Sequence, residues 1–120
     1  LGYEISYLSD EKISILFNGT FNFGTAVKQI VKSKNYDLKS GKEITFNNFF
    51  DKSSAAQKKL SILLQNAAKE QQKIDFEAEG KELYFKASNA VILYYPLDDS
   101  VIYPIHLYLP VEEIRDIINR

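Results

Sequence analysis

The sequence predicts an α+β domain: an antiparallel sheet of about six strands, one long helix packed on a face of it, and a short C-terminal helix. Three observations carry that expectation. Apolar and polar residues alternate over positions 1–8, 12–17 and 101–109, the period of two of a half-buried strand. One stripe at helical spacing, Ala56, Leu60, Leu63, Leu64, Ala67 and Ala68, marks the middle of the chain. Strands, the long helix, more strands and a short helix therefore follow one another in that order.

Element by element, Tyr3, Ile5 and Tyr7 share one face of the first strand, and Glu4 and Ser6 the other. Ser9-Asp10-Glu11 supplies a turn. In the second strand Ile13, Ile15 and Phe17 form the apolar face. Asn18-Gly19 is expected to close a type I′ hairpin, whose two central residues need positive φ; the alternative is a bulge in one continuing strand. Asn18-Gly19-Thr20 also matches a glycosylation sequon, a pattern short enough to occur by chance. Residues 20–23 continue as strand, Gly24-Thr25 breaks it, and 27–38 form a long extended segment. Ser40-Gly41 turns the chain into a short strand at 43–46, with Phe49-Phe50 as an aromatic stop.

The helix is expected over 54–72. Ser54-x-x-Gln57 matches a capping box, in which each side chain satisfies an orphan amide of the first turn. Residues 74–79 are ambiguous, and Glu79-Gly80-Lys81 is a turn. Residues 82–87 and 90–95 read as a second hairpin around Ser88-Asn89. After a loop at 96–100, the last strand places Val101, Tyr103, Ile105, Leu107 and Leu109 on one face and Pro104, His106 and Tyr108 on the other. Pro104 lacks a ladder donor, so this strand belongs at an edge or is bulged. Pro110 opens the closing helix. Val111, Ile114, Ile117 and Ile118 are that helix's apolar stripe, and Glu112 and Glu113 suit the positive end of its dipole.

Length and composition bound the function. At 120 residues the chain is expected to be a single domain, 1–120. A net charge of -1 gives no field to recruit nucleic acid or an anionic membrane. No apolar run approaches the roughly 20 residues of a membrane span, and no signal peptide is visible. Cysteine is absent, which removes disulfides and thiolate chemistry. Methionine is absent too and the chain begins at Leu1, so a piece of a longer exported or membrane-anchored protein is expected. Thirteen Lys against two Arg, with abundant Ile and Asn, suit a low-GC bacterium.

Little in the sequence equips an enzyme. A nucleophile needs a base within hydrogen-bond reach, and the only histidine is His106, read as a partly exposed strand residue. Structural zinc wants four Cys or His ligands. Asp98 and Asp99 are read as a solvated turn, and Glu77, Glu79 and Glu82 as a polar hairpin tip. Lys28, Lys32, Lys34, Lys39 and Lys42, with Tyr36 among them, admit a single-strand or glycan contact, but lysine on strands also guards against edge-to-edge aggregation. No catalytic residue, metal or cofactor is therefore expected. The eight Tyr and eight Phe are the better lead. Tyr94 and Tyr95 are strand neighbours, so one ring faces inward and one outward. An outward Tyr beside His106 and Tyr108, with Asp98 and Asp99 nearby, would form an amphipathic binding surface; cross-strand aromatic pairing is the alternative. The candidate binding residues are thus Tyr94, Tyr95, Asp98, Asp99, His106 and Tyr108.

Segments spread along nearly the whole chain resemble a known family. Residues 13–17, Phe23-Gly24-Thr25-Ala26, Asn35-Tyr36-Asp37-Leu38-Lys39-Ser40-Gly41-Lys42 and Phe46-Asn47-Asn48-Phe49-Phe50 follow its order. So do Glu82-Leu83-Tyr84-Phe85, Ala90-Val91-Ile92-Leu93-Tyr94-Tyr95-Pro96 and Leu109-Pro110-Val111-Glu112-Glu113-Ile114. The pattern is similar to a bacterial envelope family catalogued as a domain of unknown function. It occurs in the lysozyme-sensing anti-sigma-V factor and beside the catalytic domain of some peptidoglycan deacetylases. Two segments depart from it: Gly24-Thr25-Ala26-Val27 stands where the family often has Gly-Gly-Ala-His, and Leu97-Asp98-Asp99-Ser100 replaces an Ala/Gly-rich loop. The resemblance implies a non-catalytic extracytoplasmic binding or sensing module, at the cell surface or secreted. Its partner would be a protein ligand such as lysozyme, or a cell-wall glycan, with the membrane met only through flanking segments. A basic partner such as lysozyme would need a local acidic patch, around Asp98, Asp99, Glu77 and Glu79. The alternative is an accessory domain of a cell-wall polysaccharide deacetylase whose catalytic domain lies outside this chain.

Overall fold

The computed structural model describes residues 2–24, 26–72, 81–94 and 104–119. Six strands are formed there: β1 (Gly2–Leu8), β2 (Lys12–Phe23), β3 (Ala26–Asp37), β4 (Lys81–Lys86), β5 (Asn89–Tyr94) and β6 (Ile105–Pro110). The helices are α1 (Phe46–Phe49), α2 (Ser54–Ala67), which continues as a π-helical turn over Ala68–Gln72, and α3 (Val111–Ile114), which continues as a 3-10 turn over Arg115–Ile117. The class is α+β, as expected. The six strands divide into two antiparallel three-stranded sheets, β1-β2-β3 and β4-β5-β6. The expectations for residues 74–79 and for the loop and strand residues 95–103 fall outside the described residues.

The β4-β5-β6 sheet is the middle layer. One face carries Leu83, Phe85, Ala90, Ile92, Tyr94, Leu107 and Leu109. These bury against Ala56, Leu60, Leu64 and Ala67 of α2 and against Phe49, Phe50, Ile114 and Ile117. Each fully buried Leu, Ile or Phe there contributes about 1.5–3 kcal/mol. The opposite face supplies Tyr84, Val91 and Leu93, which join Leu16 and Val31 of the first sheet in a smaller cluster.

Side chains, rather than a backbone ladder, tie the two sheets together. The buried Ser14 hydroxyl donates to Asn35 Oδ1 and accepts from Phe85 N at 2.9 Å. Asn35 Nδ2 donates to Leu83 O at 2.6 Å and to Ile44 O at 3.1 Å. The Glu82 carboxylate accepts from Ser33 N at 2.9 Å and lies 3.3 Å from Lys32 Nζ. The β4 backbone groups that would seek a neighbouring strand thus find polar side chains of β2 and β3, so they are not left unpaired.

Several local expectations shift. Asn18-Gly19 does not close a hairpin: β2 runs through it, with Asn18 opposite Val31 and Gly19 opposite Ile30. The turn comes at Gly24, whose φ of 64° is the positive value that primed hairpin turns need at their first central residue. The second hairpin turns at Ala87-Ser88, between the paired Lys86 and Asn89. The expected strand at 43–46 reduces to one bridge, Glu43 to Tyr36, because Thr45 caps α1 in a reciprocal box with Asn48. The N-cap of α2 is Ser53, which accepts from Ala56 N, one residue before the expected Ser54. Gln57 instead donates to Asp51 O at 2.7 Å. Pro110 closes β6 as the N-cap of α3.

The largest difference concerns the first sheet. Alternation gives Tyr3, Ile5 and Tyr7 as the apolar face of β1 and Ile13, Ile15 and Phe17 as that of β2. A register shift between Ile5 and Tyr7 splits the first, and Tyr7 alone turns inward to meet Phe85 with ring centroids 6.5 Å apart. The face that packs on the middle sheet is the other one, where Ser14 is 0% and Leu16 6% exposed, while Tyr3 is 72% and Ile5 53% exposed.

Candidate ligand cleft between the two sheets

Alternation in β6 sends Leu107 and Leu109 to the helices and His106 and Tyr108 to the opposite face. The first sheet covers that face over β4, which it contacts through β1, β2 and β3. Beyond β4 a cleft of about 750 Å³ opens between β1 and β6. Its lining includes Glu4 and Ser6 of β1, Tyr84 and Lys86 of β4, and His106 and Tyr108 of β6.

A hydrogen-bonded pair of polar rings lines it. Tyr84 Oη lies 2.7 Å from His106 Nδ1, and the two rings meet edge to face with centroids 5.7 Å apart. Tyr108 shares this face of the sheet and lines the same cleft. Burial holds the Tyr84 phenol well above its usual range, reinforced by Tyr108 and by the Glu4 carboxylate, so the hydroxyl stays protonated at neutral pH. Ser6 Oγ, the aliphatic hydroxyl of the cleft named above, donates to Ser14 O at 3.3 Å.

Tyr108 is held from the helix side. The Gln71 amide accepts from Tyr108 N at 2.9 Å and donates to Tyr108 O at 2.9 Å. It thereby pairs the outer edge of β6 as a neighbouring strand would. Pro104 and Pro110, which have no N–H to offer, flank the same edge, in keeping with an edge position for this strand.

Burial, and next to it the Lys86 charge, push the His106 imidazole below its ordinary value of 6.5. The unfolded chain therefore takes up this proton first as pH falls. Stability from this group is complete above about pH 6.5 and is lost as pH drops through and below that value. Urea unfolding between pH 7.5 and 5.5 should show that decline in the native protein and a flatter profile in His106→Gln. His106 is the chain's only histidine, so equal slopes would reject the assignment.

Of the expected binding residues, the structure brings His106 and Tyr108 together. Tyr94 does not join them: it is 2% exposed, in the core beneath the helices, because its parity on β5 matches Ile92. Tyr95, Asp98 and Asp99 lie outside the described residues. Sequence reasoning missed Glu4, Tyr84 and Lys86. The orientation of Tyr84 was readable from its alternation with Leu83 and Phe85, but the register bringing it to His106 was not. Among the described residues no group of three His, Asp or Glu side chains is placed to hold a metal ion, and no helix is long and apolar enough to cross a membrane. The basic stretch is largely neutralised: Lys32 pairs with Glu82, Lys34 with Glu43 at 3.0 Å and Lys39 with Glu11 at 3.7 Å.

No protein-family model and no curated protein matches the sequence. Among solved structures, the chain is similar to a DUF3298 family protein from Pseudomonas aeruginosa PAO1. The TM-score is 0.72 at 13% identity, over 98% of this chain and 60% of that one. The two share a fold. That neighbour, like the family the sequence resembles, carries a designation of unknown function.

Proposed function

We propose that this chain is a non-catalytic binding module of an extracytoplasmic bacterial protein, and that the cleft between β1 and β6 takes a cell-wall glycan. The observation that carries this reading is the Tyr84–His106 pair, with Tyr108 on the same wall, lining an open cleft that also holds Glu4 and Lys86. Tyrosine rings offer flat apolar area with a polar tip, and hydroxyl, imidazole, carboxylate and ammonium groups together suit a ligand dense in hydroxyls. Turnover is disfavoured by the same geometry: His106 faces a phenol that stays protonated, and the Ser6 hydroxyl is engaged elsewhere. The extracytoplasmic setting rests on the sequence resemblance.

Titration of the isotopically labelled chain with soluble peptidoglycan fragments tests this, with lysozyme titrated in parallel. Fragment binding tighter than about 1 mM, amide shifts at Glu4, Lys86, His106 and Tyr108, and an affinity loss of about tenfold in Tyr108→Ala are expected. No fragment binding, or lysozyme binding that maps away from the cleft while fragments do not bind, overturns it.

A further inference from the structure

The cleft between β1 and β6 holds two charges of opposite sign that the fold leaves uncompensated. Glu4 stands on its β1 wall and Lys86 on its β4 wall, both exposed. Lys32, Lys34, Lys39 and Lys59 each pair with an acid, but among the described residues neither Glu4 nor Lys86 joins an ion pair. The Lys86 ammonium acts on the His106 imidazole, and the Glu4 carboxylate on the Tyr84 phenol. The cleft therefore has a positive side at Lys86 and His106 and a negative side at Glu4 and Tyr84. We propose that it recognises the peptide stem of the cell-wall glycan, seating a stem ammonium at Glu4 and a stem carboxylate at Lys86. This rests on the cleft being the glycan site.

Charge and backbone both select a stem over a bare saccharide. N-acetylated sugars offer hydroxyls and acetamides, which leave the carboxylate and the ammonium of the cleft without counter-charges. A purely anionic or purely cationic ligand satisfies one of them and is repelled by the other. A stem that includes lysine or another diamino acid brings both signs at once. The second argument is the free edge of β1, which pairs with β2 alone. Alternation puts Ile5 on the outer face of the first sheet, yet Glu4, Ile5 and Ser6 all border the cleft. Three consecutive residues of one strand meet a single cavity only where that cavity reaches the strand's edge. The N–H and C=O groups of such an edge match the amides of a peptide. The volume of about 750 Å³ lies within the range of ordinary small-ligand sites.

Calorimetric titration of the intact chain with three probes reads the result: uncharged chitotetraose, a disaccharide bearing a tripeptide stem that ends in lysine, and that tripeptide alone. The stem-bearing disaccharide should bind about tenfold more tightly than chitotetraose. Glu4→Gln and Lys86→Gln should each lower its affinity about threefold, with an unchanged Tm because both side chains are exposed. The double variant should bring the two ligands level. A second readout does not depend on affinity. His106 is the only histidine, so its ring resonances stand alone in the spectrum. The other ionisable groups lining the cleft are Glu4, Tyr84, Lys86 and Tyr108. A carboxylate seated beside Lys86 and His106 favours the imidazolium, so His106 should titrate at higher pH with the stem-bearing probe than with chitotetraose. Equal binding of chitotetraose and the stem-bearing probe overturns the proposal and leaves the glycan reading standing. So does a preference that survives in the double variant, or a His106 titration that does not move. Binding of the tripeptide alone as tightly as the whole probe, with none by chitotetraose, supports the stem and removes the sugar from the reading. If no probe binds, both fall.

Discussion

Asn35→Ala should lower stability by about 3–4 kcal/mol, since each buried polar partner left unsatisfied costs roughly 1–3 kcal/mol. Three partners lose their bond at once: the Ser14 hydroxyl, Leu83 O and Ile44 O. Two of them belong to the joint between the sheets, so β4 loses part of what fixes it against β3. The fall in Tm should be roughly 10–15 °C. Ser14→Ala should cost less, about 1–2 kcal/mol, because it orphans Phe85 N and Asn35 Oδ1 but leaves both Asn35 Nδ2 bonds. The double variant should cost less than the two singles added, by about 1 kcal/mol. Urea unfolding of the four proteins measures all of this. A cost below about 1 kcal/mol for Asn35→Ala would show that the network does not join the sheets.

The segment that most resembles a family is thus explained by structure. Its Asn35 reaches the second sheet. Its Asp37 accepts from Lys39 N at 2.8 Å and Ser40 N at 3.0 Å, and these amides hold the carboxyl below its usual range. Its Gly41 takes a φ of 75°, which a residue with a Cβ rarely adopts. A turn and a joint account for these three positions, and none of them touches the cleft.

The long helix was legible because its stripe is one-sided: Ala56, Leu60, Leu64 and Ala67 can be satisfied in only one orientation. The first sheet was legible as strands but not as a layer. Alternation says which residues share a face, not which face is covered. Here the decision rests on bonds from Ser14 to Asn35 and to Phe85, 21 and 71 residues away, which no local pattern encodes. A buried serine between two isoleucines reads as polar-out until its partners are known. The cleft divides in the same way. His106 and Tyr108 follow from strand parity, whereas Glu4, Tyr84 and Lys86 enter through packing of one sheet on another.

Phe50→Ala should be the most costly truncation among the aromatic residues, about 4 kcal/mol. The ring is 1% exposed and meets Phe46 and Phe49 edge-on, with centroids 5.3 and 5.0 Å away. Phe49 in turn meets Phe85 of β4 at 5.2 Å. Removing the Phe50 side chain opens a hole that backbone on two sides prevents from collapsing. Phe50 bridges to Ile118, Asp51 N donates to Ile117 O at 2.7 Å, and Asn119 N donates to Phe49 O at 2.8 Å. The segment after α3 is therefore pinned to the segment before α2, and the wall of the cavity cannot close without breaking that pairing. Phe46, only half-buried and on the outer side of the same cluster, should cost about 1–2 kcal/mol when truncated. If the two variants unfold at the same urea concentration, the cluster is relaxing around the loss, and the pairing of the two segments is too weak to hold the cavity open.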